Sequence, residues 1–325
     1  MTNARAYHTA SVLNNGKVLV CGGLINIYSL ISAELYDPLT GNWTITGSMT
    51  NARAYHTASV LNNGKVLVCG GFSNGYNLVS AELYDPLTGN WTIVGRMADA
   101  RSRHTASVLN NGSVLVCGGN TQSSTDYYLN SAELYDPSTG NWTTTRSMAD
   151  ARRDHTASVL NNGNVLVCGG LNDYGYLNSA ELYDPSTGNW ATTGNITEER
   201  FQHTASVLNN GKVLVCGGNY LNSAELYDPS AGNWTTVDSM ANKREWHTAS
   251  LLNNGTVLVS GGQTSDAGGY LNSAELYDPS TGNWTTTGNM TDKRSKHTAS
   301  VLNNGKVLVS GGNSGNGTLT SAELY

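Results

Sequence analysis

Seven histidines, seven arginines and seven glutamates recur in step along this 325-residue chain. His8, His56, His104, His155, His203, His247 and His297 each open the stretch HTAS, and they are all the histidines there are. Arg5, Arg53, Arg101, Arg152, Arg200, Arg244 and Arg294 stand three residues ahead of them. Glu34, Glu82, Glu133, Glu181, Glu225, Glu275 and Glu323 follow in the stretch SAEL. Imidazoles can bind metal or move protons, and guanidinium groups can hold a carboxylate. Which of these chemistries is open depends on whether the copies converge, and that depends on the elements carrying them.

The histidines are separated by 48, 48, 51, 48, 44 and 50 residues, so the repeat has to be read before the fold. Within one copy the local signals are for strands. HTASVL alternates, NNG suits a two-residue hairpin turn, and KVLVCGG is a short β-branched apolar run. A stretch of variable length follows, then SAELYD as a third strand, a DPSTGNW turn, and a stretch such as WTITGSM as a fourth. Each repeat is therefore expected to be one four-stranded antiparallel sheet. VLVC is apolar on both sides and needs cover on both, which radial stacking of like sheets supplies.

Composition agrees with an all-β globular chain. Glycine is abundant at 37, charged residues make up 13%, and the formal net charge is -6. No basic patch points to nucleic acid, and no apolar run approaches the ~20 residues that span a bilayer.

Gly-Gly closing the second strand, a Tyr in the third (Tyr36, Tyr84, Tyr135, Tyr183, Tyr227, Tyr277, Tyr325) and a Trp opening the fourth (Trp43, Trp91, Trp142, Trp190, Trp234, Trp284) resemble the kelch repeat. The likeness covers essentially the whole chain. It implies a single domain over residues 1–325, a seven-bladed β-propeller with repeats starting near each histidine. The seventh copy stops at Tyr325, before its DPSTGNW turn and fourth strand, so the last blade is expected to be incomplete. Met1 aligns with Met49, Met97, Met148, Met240 and Met290 at the end of that strand, and the chain is expected to be a piece of a longer protein.

In such a ring the repeated charges read as scaffold. One His per blade does not converge on a metal whose ligands must all lie ~2 Å away, so neither metal nor cofactor is expected. An Arg and a Glu in every blade read as a structural ion pair, worth under about 1 kcal/mol if exposed. Cys21, Cys69, Cys117, Cys168 and Cys216 share one position in the second strand, and sheets stacked ~10 Å apart hold them too far apart for disulfides. Nothing stands out as a nucleophile, a general base or a carboxylate pair.

What varies has one address. Between Gly-Gly and SAEL the seven copies hold 8, 8, 11, 8, 4, 10 and 8 residues, and antiparallel order puts these loops and the interblade links on one face. The NNG and DPSTGNW turns fall on the other. Every aromatic outside the repeat scaffold lies in those loops or links. The expected function is a non-enzymatic scaffold holding a protein or peptide there, through Tyr7, Tyr28, Tyr55, Tyr76, Arg103, Tyr127, Asp154, Tyr174, Phe201, Trp246 and Lys296. The alternative is a secreted glycan-binding propeller or one resembling galactose oxidase. The four Tyr of YLNSAEL, Tyr128, Tyr176, Tyr220 and Tyr270, are expected to pack the start of the third strand.

Overall fold

The computed structural model describes residues 1–122, 127–265 and 269–325. It is all-β, with six four-stranded antiparallel sheets and a seventh of three strands, each in simple up-and-down order. In the second repeat the strands are Thr57–Val60, Val66–Cys69, Ala81–Asp85 and Asn90–Val94. The first strands form the hub: Thr9–Val12 touches both Thr57–Val60 and Thr298–Val301, so the ring closes at seven blades. Closure is also made by backbone, since Arg5 N–H donates to Leu319 O at 3.1 Å and Gly312 N–H to Arg5 O at 2.8 Å.

The second strand is buried on both sides in all seven blades, and alternation divides it between two neighbours. Leu19 and Cys21 of the first blade meet Val66, Val68 and Tyr84 of the second, with Met49 and Leu13 completing the layer. The tyrosine and tryptophan lie 5.1 Å apart in that blade, and both reach back across the interface. Tyr84 Oη pairs with Thr46 Oγ1 at 2.8 Å and Trp91 Nε1 donates to Gly47 O at 2.7 Å. In the three-stranded blade Tyr325 has no tryptophan over it and is 41% exposed, against 0% for Tyr84.

The NNG turn differs from the two-residue hairpin expected of it. Val12 pairs with Val18, Leu13 N–H donates to Lys17 O and Gly16 N–H to Leu13 O, both at 2.8 Å. The loop thus holds three residues, with Gly16 left-handed at φ 80° closing a bulge. The other face is made as expected. The links cross under the second loops, with Ala6 bridging Leu24 and Ala54 bridging Phe72, and three of the loops fold into two-residue hairpins of their own.

Candidate functional site

Around the mouth of the central channel, on the face of loops and links, runs a ring of backbone hydrogen bonds. The residue just before each histidine donates its N–H to the carbonyl of its counterpart one blade back: Tyr7 to Lys296, Tyr55 to Tyr7, Arg103 to Tyr55, Asp154 to Arg103, Gln202 to Asp154, Trp246 to Gln202 and Lys296 to Trp246, at 3.0–3.2 Å. All seven have left-handed φ values of 50–58° although none is glycine. That conformation costs ~1–2 kcal/mol per residue, which the closed ring of bonds offsets.

Six of these seven residues are among the expected binding residues, the seventh is Gln202, and the expected Phe201 lies outside the ring. Phe201 stands one position earlier and stacks on Tyr176 at 4.5 Å and 9°. Strict counting back from His203 would have found Gln202, while aromatic content pointed to its neighbour. The mouth carries a continuous chain of ring and charge contacts. Lys296 Nζ lies 4.0 Å from the Trp246 ring and 5.0 Å from Tyr7, Tyr7 and Tyr55 are 4.1 Å apart, and Arg103 sits 4.2 Å over Tyr55 while pairing with Asp154 at 3.0 Å. Burial, then the neighbouring Tyr55, holds the Tyr7 hydroxyl well above its ordinary range. Burial, then Arg103, lowers the Lys296 ammonium. The mouth is thus half-buried, tied together by backbone bonds, and able to present aromatic faces and both signs of charge.

The remaining candidates stand away from it. Tyr28, Tyr76 and Tyr174 are 65%, 69% and 97% exposed at the tips of the second loops, and Tyr127 lies edge-on to Tyr128 beneath Arg153. The structure therefore separates the expected set into a mouth and an outer row of loop tips.

The repeated charges are scaffold, but more deeply placed than exposed pairs would be. All seven arginines are fully buried and each meets its glutamate at 2.5–3.0 Å. Every histidine Nε2 sits 2.9–3.0 Å from the Oγ1 of a threonine in the blade before it, from His8 with Thr298 round to His297 with Thr248. Burial, then the neighbouring arginine, holds His8, His104, His203 and His247 down at about 3. The five cysteines are buried with Sγ 3.2–3.3 Å from Thr Oγ1, and burial pushes their thiols up.

Clefts open on the opposite face, between blades. One of about 420 Å³ is lined by Asn161, Asn210, Lys212, Asp228 and Pro229, and equivalents recur at three other interfaces. Their linings come from the repeated turns, so they offer one chemistry several times over.

The Kelch motif matches residues 5–50, 53–98 and 247–291, and the KLHDC2/KLHL20/DRC7 Kelch-repeats domain matches residues 93–245. No curated protein matches the chain. Among solved structures, a fungal alcohol oxidase described as having catalytic diversity among the AA5 family, in complex with copper, is similar with a TM-score of 0.79 at 20% identity, over 96% of this chain and 70% of that one. At that identity the likeness is one of fold. Among the described residues no three of His, Cys, Asp and Glu are grouped as metal ligands.

Proposed function

Because the chain belongs to the kelch-repeat family, we propose that it is a non-enzymatic scaffold that holds a protein or peptide on the face of second loops and interblade links. The observation that carries this reading is the ring at the channel mouth. Seven positions share one backbone conformation and one hydrogen-bond pattern, yet hold Tyr, Tyr, Arg, Asp, Gln, Trp and Lys. A position whose backbone is fixed and whose side chain is free to change is suited to recognition, and Tyr, Trp and Arg are the side chains from which binding hot spots are made. The family supplies interaction as the class of function, and no helix among the described residues is long and apolar enough to cross a membrane.

The test is a partner captured by the wild-type propeller and then re-measured with paired variants. Tyr55→Ala with Trp246→Ala at the mouth should weaken binding by about 2 kcal/mol or more. Asn63→Ala with Asn254→Ala in the NNG turns should leave binding within twofold. Equal losses from both pairs, at unchanged melting temperature, would remove the mouth as the site.

A further inference from the structure

Two of the tyrosines of YLNSAEL do more than pack the third strand. Tyr128 and Tyr176 lean on the blade that follows and meet the residue two before the next histidine. Tyr128 lies 5.4 Å under Arg153 and Tyr176 stacks on Phe201. In the next blade the equivalent residue is a carboxylate, Glu245, and Tyr220 and Glu245 act on each other.

Glu245 is 1% exposed, and its Oε2 has no hydrogen-bond partner. A buried carboxylate without a counter-charge is costly, by several kcal/mol in order of magnitude. Among the described residues no Lys or Arg comes within ion-pairing distance, and Lys296, which acts on it electrostatically, has its Nζ against Trp246 and Tyr7. The same side of the link holds further acceptors. Glu245 and Gln263 exchange both backbone bonds, at 2.9 and 2.8 Å, so their side chains stand side by side. Gln263 Oε1 and, at the adjoining mouth position, Gln202 Oε1 are likewise unpartnered. Two mouth residues, Lys296 and Asp154, act on the carboxylate electrostatically.

We propose that this side of the mouth binds an arginine side chain of the protein or peptide held on the face, with Glu245 as its counter-charge. The proposal rests on the reading above and adds the chemistry of the ligand. Three oxygens lack donors, and a guanidinium brings five N–H groups in a planar fork, which an ammonium does not. Tyr220 supplies a ring on which that plane can stack. Glu245 is covered in this structure, so the arginine enters by displacing that cover, which on one side is the shortest of the second loops, Asn219 to Asn222, four residues against eight and ten in its neighbours. Burial holds the Glu245 carboxyl above its ordinary range, with Tyr220 and Lys296 acting the other way, and a guanidinium beside it would lower it.

The experiment titrates the full chain with N-acetyl-Gly-Arg-Gly amide and with the Lys and Glu analogues, followed by calorimetry or NMR. The Arg peptide should bind at least tenfold more tightly than the Glu peptide and severalfold more tightly than the Lys peptide. Glu245→Gln should weaken it at least tenfold and Gln202→Leu severalfold, both with cooperative thermal melting retained, while Asn63→Ala stays within twofold. Equal binding of Arg and Glu peptides, full binding by Glu245→Gln, or displacement by millimolar calcium chloride would overturn the proposal. If it fails while the mouth variants still lose their captured partner, the scaffold reading stands and only the ligand chemistry falls.

Discussion

Arg53 shows how one side chain fixes a blade. Its Nη1 donates to Gly70 O at 2.7 Å and Ser80 O at 3.1 Å, and its Nη2 to Glu82 Oε1 at 2.8 Å. Glu82 in turn accepts the N–H groups of Thr50 and Asn51, so the pair ties the incoming link to the second and third strands. Spacing alone suggested a pair of little worth; burial of both partners reverses that. Arg53→Met leaves a buried carboxylate half-compensated and should cost ~3–5 kcal/mol in urea unfolding, with partial recovery when Glu82→Gln is added. A loss below about 1 kcal/mol would show that the pair is as weak as an exposed one. The pairing was legible because both residues occur once per repeat; its depth was not, since nothing local to Arg53 states what covers it. The mouth residues were legible as variable but not as left-handed. Tyr7, Arg103 and Lys296 are not residue types that signal that conformation, and a hydrogen-bond ring closed only by the whole assembly imposes it.

At the scale of the element, the four strands and the DPSTGNW turn could be read directly, because alternation and turn residues are local properties. The NNG turn was read one residue too short, since Asn-Gly serves both hairpin classes and the choice is made by the pairing of Val12 with Val18. Glycines separate into two kinds on the same grounds. Gly41 has φ 73° and open space where a Cβ would go, whereas at Gly70, with φ 62°, a Cβ would lie 2.5 Å from Arg101 O and 2.6 Å from the His104 ring. Gly41→Ala should therefore cost about 1 kcal/mol, the conformational term alone. Gly70→Ala adds a clash with the next blade's backbone and should cost about 3 kcal/mol or more. Equal destabilisation of the two in thermal or urea unfolding would mean that the Gly-Gly pair serves only its own turn.

Across the whole molecule, closure is what turns a repeated side chain into a collective property. The seven histidines hold seven threonines across seven interfaces, including the one between His8 and Thr298 that joins the two ends of the chain. Four of the rings are held near pKa 3 and the other three well below their ordinary 6.5, burial being the first cause in each case. In the unfolded chain each would take up a proton near 6.5. Between about pH 6.5 and 3 the unfolded state thus binds more protons than the folded one, and stability must fall as pH falls, by up to about 1.4 kcal/mol per pH unit for each histidine. The lowered carboxylates, Glu34 and Glu82 among them, add the same sign only near and below about 4.5. Glu245, raised by burial, acts in the opposite sense. The span from pH 6.5 to 5 therefore belongs mainly to the histidines. Urea unfolding at pH 7, 6.5, 6, 5.5 and 5 should show stability dropping steeply, with His104→Gln reducing the slope by about one proton. A flat profile over that span would mean that the rings gain protons in the folded ring, and hence that the hub opens to water without the blades coming apart.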